Sequence, residues 1–163
     1  WHRLPWLVVG LVGAMVSAGL MAAFEARLEA VLAVAYFVPG IVYLADAVGT
    51  QTETLAIRGL SVGVGIRRIL VREAMTGLIV GILLGLLMVP AVVLMTGDGR
   101  LAGAVALAVL AASSIATVVA LLLPGVQQTL GHDPAFGSGP AATVIQDLLS
   151  ILIYLVAVSA LLT

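Results

Sequence analysis

Cysteine is absent from this 163-residue sequence, and so is lysine. The first absence excludes disulfide bonds and thiolate metal centres. The second leaves arginine as the only strongly basic residue, at seven positions. Charge of either sign is scarce. Only 9% of the residues are charged, against about 25% in an ordinary soluble domain. A net charge of −1 offers no basic field for nucleic acid. No Walker A motif or other nucleotide-binding pattern occurs, and no segment alternates with the period of a strand. Internal repeats and a soluble domain are missing as well. What is abundant is apolar: 63% of the chain is hydrophobic. That composition is the mark of an integral membrane protein.

A membrane-spanning helix needs about 20 apolar residues. Four runs reach that length or come close: 4–24, 74–97, 101–123, and 134–163 with a single acid inside it. A fifth run, 30–45, is shorter and meets Asp46. It is expected to continue as helix through Gly49-Thr50-Gln51, with a kink at Pro39-Gly40 and an opening at Gly49. The reading is therefore an all-α membrane fold with five transmembrane helices, at 4–24, 30–52, 73–96, 101–123 and 140–162, forming one transmembrane domain over 1–163. The first run is too long for a signal peptide and is read as a retained span. The chain opens on Trp1, which reads as a trimmed chain or one domain of a longer protein.

Two connections are short, at 25–29 and 97–100. The longest lies between the second and third spans, and its Arg67–Arg72 end reads as an interfacial helix with arginines at the headgroups. The last connection, 124–139, contains Pro124 and Pro134. Arginine sets the orientation. Arg3, Arg58, Arg67, Arg68 and Arg72 fall on one side, and Arg27 and Arg100 on the other. The positive-inside rule then puts the N-terminus in the cytoplasm and the C-terminus outside a multi-pass protein of the cell (inner) membrane. Small residues mark helix contacts: Gly77, Gly81 and Gly85 on the third span, and Gly10, Gly13 and Ser17 on the first.

Polar residues at membrane depth carry the chemistry. Asp147 is the only charged residue after Asp133. A carboxylate at the bilayer centre costs about 2.5–3.5 kcal/mol on insertion scales and is tolerated where it meets water, a cation or another helix. Thr143 stands one turn earlier, on the same face. A second cluster, Asp46 to Thr54, closes the expected second helix and includes Gly49, Thr50 and Gln51. A third, Asp133 to Pro140, leads into the last helix, where Asp133 reads as a cap. Glu25 and Glu29 read as a solvated loop that would concentrate cations. His2 and His132 stand apart on different connections and read as solvated.

Asp133-Pro134-Ala135, Ser138-Gly139-Pro140, Thr143 and Asp147 together resemble the last-helix signature of the MgtE-type magnesium transporters. Pro39, Gly49-x-Gln51 and Arg58-Gly59 are similar to that family's second helix, and Phe24-Glu25 to the close of its first. The resemblance implies a homodimer in the lipid bilayer, with the ion path at the subunit interface lined by helices 2 and 5. It implies that Asp147 and its dimer mate hold a hydrated Mg²⁺ as the transported ion, with no organic cofactor and no enzymatic activity. Asp46, Thr143, Gly49, Thr50 and Gln51 complete the expected pathway. The sequence departs from the family pattern in two ways. Asp46 adds a second acid, and Thr50 stands where asparagine is common. Family members also carry a large cytosolic gating region with a paired CBS module. That region is not expected here, so regulation would fall to a separate cytosolic domain or protein.

Passive movement of a divalent cation is thus the leading expectation, with Co²⁺, Mn²⁺ and Ca²⁺ open beside Mg²⁺. One rival is an intramembrane aspartyl protease with Asp46 and Asp147 as its dyad, which requires the acids to meet within one subunit. Its usual Tyr-Asp and Gly-x-Gly-Asp motifs are missing. The other rival is an accessory membrane subunit, in which Asp147 would pack against arginine.

Overall fold

Alternation of long apolar runs with Gly- and Pro-marked breaks produces a bundle of five α-helices. The computed structural model describes residues 4–24, 32–131 and 133–162. The helices are α1 (Leu4–Ala23), α2 (Ala33–Ser61), α3 (Ile66–Thr96), α4 (Gly99–Thr129) and α5 (Pro134–Leu162). All five are long and apolar enough to cross a membrane, and no strand occurs among the described residues. Arg3, Arg27, Glu25, Glu29, His2 and His132 lie outside the described residues.

The helices are longer than their apolar runs. α2 does not stop near residue 52, and no separate interfacial helix precedes α3. α2 runs to Ser61 and α3 starts at Ile66. A helix leaving the bilayer continues while its residues favour helix, and it stops where the backbone must turn. Here the turn comes at Gly63, with φ of 78°, a conformation cheap only for glycine. Likewise α4 passes Pro124 and ends before Gly131, at φ 75°. Pro124 is fully buried among neighbouring helices, the setting in which membrane helices tolerate proline. α5 begins at Pro134 rather than near residue 140, because proline suits the first helical position, where its missing N–H is not needed. α3 and α4 are joined through Gly97 and Asp98. Gly97 takes φ 70°, and the Asp98 carboxylate accepts from the amides of Arg100 (2.8 Å) and Leu101 (3.1 Å).

α4 is the hub. Ala104, Ala108, Ala112, Ala116 and Ala120 recur every four residues and are all buried. This smooth ridge lets α2, α3 and α5 pack close to α4. The glycine face expected on α3 is the closest of these seams. A Cβ on Gly81 would lie 2.9 Å from the Leu110 carbonyl oxygen, and one on Gly85 would lie 2.7 Å from that of Ala106. α1 packs against α5. Of its expected contact residues, Gly13 meets Val144, whereas Gly10 faces open space within this chain. Ser17 has a buried hydroxyl oxygen with no hydrogen-bond partner. Other hydroxyls bond back to their own helix, as Thr117 does to the Ser113 carbonyl at 3.0 Å.

Tyr154 of α5 is wholly buried, and its hydroxyl donates to the Val34 carbonyl at 2.9 Å. This bond ties the start of α2 to the second half of α5. Tyr154→Phe is expected to lower stability by about 0.5–1.5 kcal/mol, the usual net worth of one such bond. Thermal unfolding in detergent would measure it, and an unchanged midpoint would show the bond to be dispensable.

Candidate functional site

The full length of α2 changes the place of Asp46. It is not at a helix end. Asp46 and Asp147 each stand near the midpoint of a 29-residue helix. The pairs Val34–Tyr154, Asp46–Thr143 and Glu53–Ser138 run in opposite senses, so α2 and α5 are antiparallel. In this antiparallel register the Asp46 level of α2 lies against the Thr143 level of α5, one helical turn from Asp147.

There, Thr143 donates its hydroxyl to Asp46 Oδ1 at 3.2 Å. The Asp46 charge also acts on Asp147. Both acids are half-buried, and Thr143 is exposed on the surface of the single chain. Three of the expected pathway residues therefore converge within one subunit. Helical spacing suggested that Thr143 would serve Asp147 on its own helix, but the hydroxyl crosses to α2 instead. Among the described residues no hydrogen bond joins Asp147 to the arginine that an accessory subunit would place against it, and the charge it feels is that of Asp46. Among the described residues no group of three or more acids, histidines or cysteines converges. One chain thus supplies two carboxylates and a hydroxyl, too few for a closed metal cage but suited to a hydrated cation.

The stretch Gly49-Thr50-Gln51 does not open the helix. The Thr50 carbonyl accepts the Thr54 hydroxyl at 2.9 Å within continuous helix. Thr50 is exposed one turn from Asp46, whereas Gln51, five residues on, stands on another side of α2. Gly49 has a packing role. It is buried, and a Cβ there would collide with the Gln146 side-chain amide. Gln146 is itself buried and reaches the Ala116 carbonyl of α4 at 3.4 Å. This amide, at a junction of α2, α4 and α5, was not anticipated. Its only signal in the sequence is a polar residue beside Asp147 in an apolar run.

Gly49→Ala is expected to cost about 1 kcal/mol of stability, the low end of overpacking, because the obstructing atoms are the end of a side chain. Adding Gln146→Ala should recover part of that loss, because the amide is the obstruction. Equal unfolding midpoints for the single and double variants would contradict this account.

A family model described as a divalent cation transporter, MgtE, matches residues 38–157. The chain belongs to the MgtE family. It is 32% identical over 158 residues to a magnesium transporter MgtE of Bacillus subtilis, covering 94% of this chain and 35% of that protein. It is 33% identical to the magnesium transporter MgtE of Enterococcus faecalis over 156 residues, 93% of this chain and 34% of the relative. The magnesium transporter MgtE of Thermus thermophilus is 33% identical over 157 residues, 94% and 35% respectively. The chain spans about a third of the length of these relatives. MgtE relatives are transporters and not enzymes. This membership decides against a protease dyad, even though the two acids are close enough within one subunit for the Asp46 charge to act on Asp147.

Proposed function

We propose that this protein carries a divalent cation, Mg²⁺ first, passively across the membrane along a path lined by α2 and α5. The observation that carries the reading is the pair Asp46 and Asp147, each at mid-helix, with Thr143 donating to Asp46 and the Asp46 charge felt at Asp147. Two like charges so placed repel each other until a cation lies between or beside them. The names of the relatives point to magnesium. Mg²⁺ gives up its waters reluctantly, so carboxylates and hydroxyls binding it through its hydration shell suit it better than a tight cage.

The path lies between two copies of the chain in this reading. Two-fold symmetry doubles the set to four acids and two threonines around one axis. Asp147, Asp46 and Thr143 touch the hydrated ion, and Thr50 continues the polar face one turn along α2. Gly49 keeps α2 close to α5, and Gln51 lies off the ion's face. Passive movement needs no organic cofactor. The N-terminus is cytoplasmic, and residues 1–163 form one transmembrane domain. A cytosolic region or a separate protein sets when the path opens.

The test is Mg²⁺ uptake by proteoliposomes containing the protein, with Mn²⁺, Co²⁺ and Ca²⁺ as competitors. Asp46→Asn is expected to assemble normally yet bind Mg²⁺ more weakly or reorder the competitors. Wild-type affinity and an unchanged order would place Asp46 off the path.

A further inference from the structure

Seven residues beyond Asp46 on α2 comes Glu53, two helical turns and about 10 Å along the same face. It is 8% exposed. Across the seam on α5, the fully buried Ser138 donates its hydroxyl to Glu53 Oε1. The next residue is Gly139, and a Cβ there would lie 3.8 and 3.9 Å from the two carboxylate oxygens. The carboxylate therefore lies beside the Gly139 backbone, where an added Cβ would make ordinary contact with it. No described arginine forms a salt bridge with it.

We propose that Glu53, held by Ser138, is a second divalent-cation contact on the α2–α5 path. This rests on the transport reading above and extends it. An ionised carboxylate has about four acceptor sites, and one uncharged hydroxyl satisfies one of them. Burial of such a group is costly without a positive partner. A hard divalent cation seeks oxygen ligands of this kind. A cation leaving the Asp46–Asp147 layer meets Glu53 next along the seam. Conduction also favours several moderate sites over a single strong one, because the ion must leave as well as enter. Serine places the carboxylate without cancelling its charge, as an arginine would.

The experiment compares wild type, Glu53→Gln, Ser138→Ala and Asp147→Asn. Mg²⁺ is the probe, in calorimetric binding and proteoliposome uptake, and unfolding is followed without Mg²⁺. Glu53→Gln is expected to keep its assembly state and raise the half-saturating Mg²⁺ concentration about ten-fold. Ser138→Ala should raise it several-fold. Wild-type half-saturation in Glu53→Gln, with uptake abolished in Asp147→Asn, overturns the Glu53 site and leaves the transport reading standing. Wild-type uptake in Asp147→Asn overturns the transport reading itself. Should Glu53→Gln fail to fold, Ser138→Ala decides. A raised half-saturation supports the site, and a lowered unfolding midpoint with unchanged half-saturation makes the contact structural only and overturns it.

Discussion

Asp147→Ala is expected to insert, fold and assemble, yet to lose Mg²⁺ uptake by at least about ten-fold, the effect of some 1.4 kcal/mol of ion binding. Insertion should not suffer, because alanine is far cheaper in lipid than a carboxylate. Packing should change little, since the side chain is half-buried and is charge-coupled to Asp46 rather than wedged into the core. The variant therefore separates transport from folding. Proteoliposome uptake, read beside chromatographic mass and unfolding midpoint, measures both. Wild-type uptake in a folded Asp147→Ala protein would remove this residue from the path. Asp46→Ala alone should be milder, because Asp147 stays to attract the cation.

The largest effect on stability is expected from Gly81→Val combined with Gly85→Val. Each new side chain meets a carbonyl oxygen of α4, at 2.9 and 2.7 Å from the added Cβ. These obstacles are backbone and cannot swing aside as the Gln146 amide can. α3 must move off α4, and contacts along the whole seam weaken. Overpacking costs about 1–3 kcal/mol at one site, and two sites one turn apart on α3, both facing the hub helix, should leave little folded protein in detergent. Gly10→Ala serves as the control, since nothing lies within 4 Å of the added atom in this chain. An unfolding midpoint for the double variant within a degree of wild type would contradict the close seam.

The five spans could be read from the sequence because lipid imposes a length and an apolar content on any helix that crosses it. Their ends could not. Polarity at Asp46, Thr50 and Glu53 looks like the exit from the bilayer, yet α2 continues, with Thr52 and Glu53 buried against neighbours. Burial of that kind is a property of the bundle and leaves no local trace. The acid on α5 announced itself by its solitude, and Asp46 by interrupting an apolar run. Their meeting needed the antiparallel register of two helices far apart in sequence. The hydroxyl of Thr143 shows the limit clearly. Spacing along one helix paired it with Asp147, and the fold gave it to Asp46. Glu53 and Ser138, 85 residues apart, belong to the same class.

The tight turn through Gly97 and Asp98 also implies an order of assembly. α3 and α4 adjoin in sequence and share the closest seam, so their contacts close only short loops and should form early. α2 can then dock on the exposed side of α4. α5 leaves the ribosome after the other four helices, carrying Asp147 into the membrane. It arrives at a surface that already displays the Asp46 carboxylate and the Gly49 niche. The late helix therefore has polar company waiting at the depth where lipid alone would reject its acid. Chain order, as much as final geometry, lets this protein keep a carboxylate at the middle of a helix that crosses the membrane.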